Sequence, residues 1–137
     1  MASTATSLDH CVIHISNWET AVDFYTRVVG AEAVPAKGGG WVFRLGEQQL
    51  NVHGPDKKGD PLARIPVAPG NSDLCFRWHG PIEDARRHLE AEGVTIELGP
   101  IARYGARGDG ASVYFRDPDG SLMEFISYDA LHPCHRL

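Results

Sequence analysis

A chain of 137 residues has the length of one ordinary domain, or of two small repeated modules that share a core. Its 42% hydrophobic content suits a globular fold in water, and no apolar run approaches the length of a membrane span. A formal net charge of −5, with no Lys/Arg stripe interleaved with aromatics, excludes a nucleic-acid surface.

Residues 1–7, Met1-Ala-Ser-Thr-Ala-Thr-Ser7, form a short polar extension without the charged start and apolar middle of a secretory signal. Cys11, Cys75 and Cys134 are odd in number, widely spaced and in no CxxC pair, so a disulfide framework is not expected and a cytoplasmic location is. The segment Leu8-Asp-His-Cys-Val-Ile-His-Ile15 alternates and is rich in β-branched residues, which predicts a strand. Cys11, Ile13 and Ile15 make its core face, so His10 and His14 point together to the other side. Ser16 or Asn17 then caps a helix whose stripe of Trp18, Ala21, Val22, Tyr25, Val28 and Val29 runs to Gly30, a good residue for ending it. A short strand over Ala31–Pro35 precedes the loop Lys37-Gly38-Gly39-Gly40, and Trp41–Leu45 with Gln48–His53 reads as a hairpin turning at Gly46-Glu47. Asn51 and His53 share a face by parity. The stretch 54–70 carries Pro55, Pro61, Pro66 and Pro69 and is expected to be an irregular linker or a lid.

The pattern then restarts. Ser72–Trp78 is a strand with Leu74, Phe76 and Trp78 on one face and Asp73, Cys75 and Arg77 on the other. Pro81 opens a helix carrying Ile82, Ala85 and Leu89, which stops at Gly93. A strand is expected at Val94–Leu98, followed by a glycine-rich loop from Gly99 to Gly110 that holds Arg103, Tyr104 and Arg107. The final hairpin, Ser112–Tyr128, turns at Asp117-Pro118-Asp119-Gly120, where Pro fixes φ and Gly accepts positive φ. In its second arm Leu122, Glu124, Ile126 and Tyr128 share one face, and Met123, Phe125 and Ser127 the other. A carboxylate in so apolar a strand is costly to bury without a partner. The spacing from His10 to Gly30 recurs from Asp73 to Gly93, so the chain is an internal repeat: module one over 8–53, linker 54–70, module two over 71–128, and a tail over 129–137. The fold class expected is α+β, two βαβββ modules that form an open barrel-like cup.

The non-core faces carry His10 and His14, Asn51 and His53, Asp73, and Glu124. Imidazoles and carboxylates that converge on a hollow suit a divalent metal. His132, Cys134 and His135 lie in the tail beyond the last strand and are expected to stand outside the site.

Leu8-Asp-His10-Cys-Val-Ile, Trp18, Ala21-Val-Asp-Phe24-Tyr25, Val29-Gly30, Tyr114-Phe-Arg-Asp117-Pro-Asp-Gly120 and Leu122-Met-Glu124 together resemble the vicinal oxygen chelate superfamily of glyoxalases, extradiol dioxygenases and bleomycin-resistance proteins. Leu50-Asn51-Val52-His53 and Pro69-Gly-Asn-Ser-Asp73-Leu-Cys-Phe76 are similar to a poorly characterised glyoxalase-domain branch. The resemblance implies paired modules with metal ligands at His10 and Glu124, Asp73 where the superfamily usually has His, and Asn51 where it often has Glu or Gln. His53 and Asp73 then compete as further ligands for Mn, Fe, Ni, Co or Zn. The activity implied is a metal-dependent lyase or isomerase of glyoxalase type, acting on a small substrate that chelates the ion through neighbouring oxygens. Glu124 and His14 are the candidate catalytic groups, and Asn51, Arg44, Arg103 and Arg107 the candidate substrate contacts. The alternatives are an extradiol-type Fe(II) dioxygenase, with His10, His53 and Glu124 as ligands, and a metal-free binding protein whose cup is lined by Trp41, Phe43, Tyr114 and Tyr128. A homodimer is expected, because one curved sheet per module leaves edges to cover.

Overall fold

The computed structural model describes residues 5–57 and 59–129. The order is β1 (His10–His14), α1 (Trp18–Arg27), β2 (Glu32–Pro35), β3 (Trp41–Leu45), β4 (Gln48–His53), β5 (Asp73–Arg77), α2 (Ile82–Ala91), β6 (Leu98–Gly105), β7 (Gly108–Arg116) and β8 (Leu122–Ser127). Each half is therefore βαβββ. The first sheet has the strand order β1-β4-β3-β2 and the second β5-β8-β7-β6, with β1 parallel to β4, β5 parallel to β8, and the other neighbours antiparallel. Neither sheet closes on itself, so the fold is α+β with two open, cup-like modules.

Both helices lie over the same core. Asn17 caps α1 by accepting from the Thr20 N–H at 2.9 Å, and the helix buries Ala21, Phe24 and Tyr25. Helix α2 has no side-chain cap behind Pro81 and buries Ile82, Ala85 and Leu89. These six side chains meet Ile13, Phe43, Leu50 and Val52 of the first sheet and Val113, Phe115, Met123 and Phe125 of the second in one continuous cluster. Phe24 packs at 6.2 Å from Phe115, and Tyr25 stacks on Phe43 at 4.9 Å. Further ties between the halves come from the His88 Nε2–H donating to the Val28 carbonyl at 2.8 Å and from Arg27 meeting Glu92 at 2.6 Å.

Two expectations are corrected. The stretch Gly99–Gly110 is not a loop, and the second strand of the second module does not run over Val94–Leu98. Leu98–Gly105 and Gly108–Arg116 are long paired strands with a tight turn at Ala106-Arg107. Gly105 and Gly110 serve close packing there, because a Cβ at either would strike Ile126, and at Gly105 also Tyr128. Trp41 and Phe43 do not line the open side. Phe43 is fully buried beneath Tyr25, and Trp41, two residues before it on the same face, packs against the core. Among the described residues from Gly54 to Gly70 there is no helix or strand, in keeping with the prolines there. Residues His132, Cys134 and His135 lie outside the described residues.

Candidate functional site

Strand register fixes which side chains share the faces turned away from the helices. On the first sheet His10 stands opposite Gln49, Val12 opposite Asn51, and His14 opposite His53, with Val42 and Arg44 continuing the same rows on β3. His10 is exposed and its Nδ1 pairs with Asp9 at 2.8 Å. Arg44 Nη1–H donates to Gln49 Oε1 at 2.9 Å, and Gln49 Nε2–H donates to Asn51 Oδ1 at 2.6 Å. That relay engages the Asn51 amide oxygen, so its nitrogen is the donor left for another partner. His14 and His53 meet edge to face with their ring centroids 6.1 Å apart. Burial, then the Lys57 charge and the neighbouring His14, hold His53 below its ordinary value.

On the second sheet Asp73 stands opposite Leu122, Cys75 opposite Glu124, and Arg77 opposite Ile126. Tyr114 and Ser112 on β7 flank the same rows. The half-buried Glu124 takes its partner from β7: the Ser112 O–H donates to Oε2 at 2.6 Å. None of the ion pairs among the described residues involves Glu124. The cost of placing a carboxylate in this strand is therefore offset by the Ser112 hydroxyl, the Cys75 thiol and solvent, not by a cation. Burial, then the charge and hydrogen bond of Glu124, push the Cys75 thiol up to about 12. Arg103 Nε–H donates to the Tyr114 hydroxyl at 2.8 Å with its guanidinium 5.4 Å from that ring, and Arg77 lies 5.6 Å from the ring of Tyr128. Arg107 sits in the β6–β7 turn, where its backbone N–H, not its side chain, contacts the Tyr128 hydroxyl at 3.2 Å.

The fold brings Asn51 beside the His10 end of the first sheet, and Asp73 and Glu124 together on the second. It does not bring His53 to His10. They lie four strand positions apart, about 13 Å at ~3.3 Å per residue. Among the described residues no three His, Cys, Asp or Glu side chains of one chain converge on one point. A divalent ion implied by the resemblance therefore does not fit a single chain: imidazole donors sit on one sheet and carboxylate donors on the other. Between the edge strands β1 and β5 opens a cleft of about 560 Å³ reaching from His10 and Gln49 to Cys75 and Arg77. Sequence reasoning placed Cys75 and Tyr114 on these faces and missed Gln49 and Ser112. Parity with His53 and Asn51, and with the strand partner of Glu124, was the signal that would have found them.

Residues 7–125 match the family model of the Glyoxalase/Bleomycin resistance protein/Dioxygenase superfamily. The chain belongs to this superfamily. The glyoxalase domain-containing protein RDO1 of Mycosarcoma maydis is 42% identical over 122 residues, covering 89% of this chain and 68% of that protein. Virulence protein STM3117 of Salmonella typhimurium is 38% identical over 121 residues, 88% of this chain and 83% of that protein. Its crystal structure superposes with a TM-score of 0.85 at 36% identity, covering 92% of this chain and 99% of that one. The integron cassette protein VCH_CASS1 from the mobile metagenome of V. Cholerae gives 0.84 at 38% identity, covering 93% and 99%. No described helix is long and apolar enough to cross a membrane.

Proposed function

We propose that this protein is a glyoxalase-type lyase or isomerase for a small oxygen-bearing substrate, working as a homodimer in which the first-module face of one copy closes over the second-module face of the other. The observation that carries this reading is Glu124, a carboxylate on an open sheet face with a hydroxyl partner and no cation. Such a group is poised to take a proton or a positive charge from whatever fills the cup. Face-to-face pairing supplies the missing half, since His10 and Asn51 lie on one module and Asp73 and Glu124 on the other. His10, Asp73 and Glu124 are then the groups that hold a divalent ion of the Mn, Fe, Ni, Co or Zn series, whose charge would stabilise an oxyanion on the substrate. The Arg44–Gln49–Asn51 relay presents an amide N–H to a substrate oxygen, and Arg103, braced on Tyr114, offers a cation at the opposite wall. The free thiols of Cys11 and Cys75 fit a reducing, cytoplasmic setting.

The dioxygenase reading loses ground because His53 lies at the far end of its strand pair from His10. A metal-free binding protein is the second reading, favoured by the absence of a three-donor cluster among the described residues of one chain. Light scattering and metal analysis of the purified protein, with His10→Ala and Glu124→Gln alongside, separate the two. The expected result is a dimer with about one divalent ion per cup held through His10 and Glu124, so that each variant carries about one ion fewer per cup than wild type while its melting stays near wild type. A monomer across micromolar concentrations, or a wild type that binds none of these ions more tightly than roughly millimolar, overturns the enzyme reading in favour of the binder.

A further inference from the structure

We infer that His14 and His53 form a second, separate divalent-metal site, a cross-strand pair of imidazoles for a borderline transition ion of the Ni²⁺, Cu²⁺ or Zn²⁺ kind. The two residues are direct partners in the parallel β1–β4 register and project to the same face. Neighbouring strands lie ~4.8 Å apart, which places two such rings within the span of one ion holding each nitrogen at about 2.0–2.1 Å. The rings already touch edge to face at 6.1 Å between centroids, interplanar angle 78°.

The protonation pattern suits coordination. His14 Nδ1 lies 3.2 Å from the Ile15 carbonyl. A carbonyl only accepts, so Nδ1 carries the hydrogen and Nε2 keeps its lone pair, the arrangement by which an outer hydrogen bond fixes a ligating imidazole. Both rings are half-buried, so an ion has access from solvent without a rearrangement of the core. Gly59, from the segment after β4, lies against His53, where a Cβ would come within 3.1 Å of Cε1. This contact braces the ring from the side. Two imidazoles leave coordination positions open for water or a ligand oxygen, and imidazole with water suits Zn, Cu or Ni better than Mg or Ca.

This site shares no residue with the His10, Asp73 and Glu124 set and lies about 13 Å along the strand from His10, so it stands or falls by itself. The test starts from the full-length chain carrying His10→Ala and Glu124→Gln to silence the other donors, and His132→Ala, Cys134→Ser and His135→Ala to silence the tail. Cu²⁺ is the probe, because it binds most tightly in its row and reports ligand nitrogens by electron paramagnetic resonance. The background chain is expected to bind one Cu²⁺ with the hyperfine signature of two imidazole nitrogens. Adding His14→Ala or His53→Ala should reduce that to at most one nitrogen and weaken binding by at least the ~10–100-fold that even the loss of an outer partner costs. Circular dichroism melts check that each variant is folded, and His53→Gln serves where His53→Ala is not. A background chain without the two-nitrogen signal, or one whose signal survives removal of either histidine, overturns the inference. Metal lost only between wild type and the background chain would instead support the His10–Glu124 proposal alone.

Discussion

Tyr25 on the first helix donates a hydrogen bond at 2.8 Å to Asp117, 92 positions later at the head of the last turn, and both side chains are buried. Asp117 also accepts the N–H groups of Asp119 and Ser121 at 3.0 and 2.8 Å, so one carboxylate shapes the turn and ties it to the other module. Tyr25→Phe keeps the stacking on Phe43 but removes a donor to a buried charge. It is expected to cost about 1–3 kcal/mol, read as a shift of the urea midpoint. Burial and the Asp117 charge hold the Tyr25 phenol well above its ordinary value. The folded chain therefore keeps a proton that the unfolded chain loses near pH ~10, so this contribution is full below that pH and drains as pH rises further. Tyr25→Phe should flatten the alkaline loss. A variant as stable as wild type at neutral pH, with the same alkaline slope, would sink the account.

Much of this was legible from the chain, and the failures have physical causes. The repeat showed because Gly30 and Gly93 must end their helices with positive φ, at 89° and 76°. The face carrying Glu124 was legible because β8 alternates without a bulge. Gly99–Gly110 misled because glycine marks both a turn and a strand that another side chain presses upon, and periodicity alone does not separate the two. Trp41 and Phe43 misled because an aromatic on a half-buried strand fits either face until the partner strand is known. Asp117 looked like ordinary turn chemistry, and nothing local announces that a tyrosine from the other module reaches it. The site was legible as residue types and strand faces. That His53 joins His14 and not His10 depends on the parallel register of β1 with β4 inside the first module, which nothing local announces.

Gly99 and Gly93 test the reading of glycine. Both adopt positive φ, 108° and 76°. At Gly93 an added Cβ meets nothing, whereas at Gly99 it runs into the Ser112 carbonyl and the Val113 backbone across the β6–β7 pair. Gly93→Ala should cost only the conformational penalty of about 1–2 kcal/mol. Gly99→Ala adds a clash with backbone that cannot swing aside, and is expected to exceed that, at ~3 kcal/mol or more. Thermal melts of the two variants decide it. Equal losses would mean that β6 shifts freely against β7.

Acid sensitivity should trace in part to His53. Burial, the Lys57 charge and His14 make its imidazole harder to protonate in the folded chain, while the unfolded chain takes up a proton near pH ~6.5. Between the lowered value and pH ~6.5 the unfolded state binds more protons, so stability falls as pH falls through that window. His53→Gln should lose less stability than wild type between pH 7.5 and pH 5.5 in urea titrations. An identical acid loss in both proteins would assign the sensitivity elsewhere.

The last prediction concerns the pair that β5 and β8 set side by side. The Cys75 thiol is held up to about 12 by burial first, then by Glu124 and Asp73. Only the thiolate reacts with an alkylating reagent, so Cys75 should be sluggish at pH 8 although its residue is exposed. Glu124→Gln removes the nearest negative charge and keeps the side chain's shape. The thiol should then ionise more readily, and the midpoint of its labelling profile should fall by about one pH unit. The burial contribution stays, so the midpoint should remain above that of a free cysteine. The measurement is the rate of iodoacetamide labelling against pH, in a chain carrying Cys11→Ser and Cys134→Ser so that Cys75 alone reports. A cation bound beside Glu124 would mask the same charge, so stripping metal from the protein should move the midpoint upward before any substitution is made. A midpoint that neither Glu124→Gln nor metal removal shifts would show that burial alone governs the thiol. It would also leave Glu124 without the influence on its open face that the proposed chemistry needs.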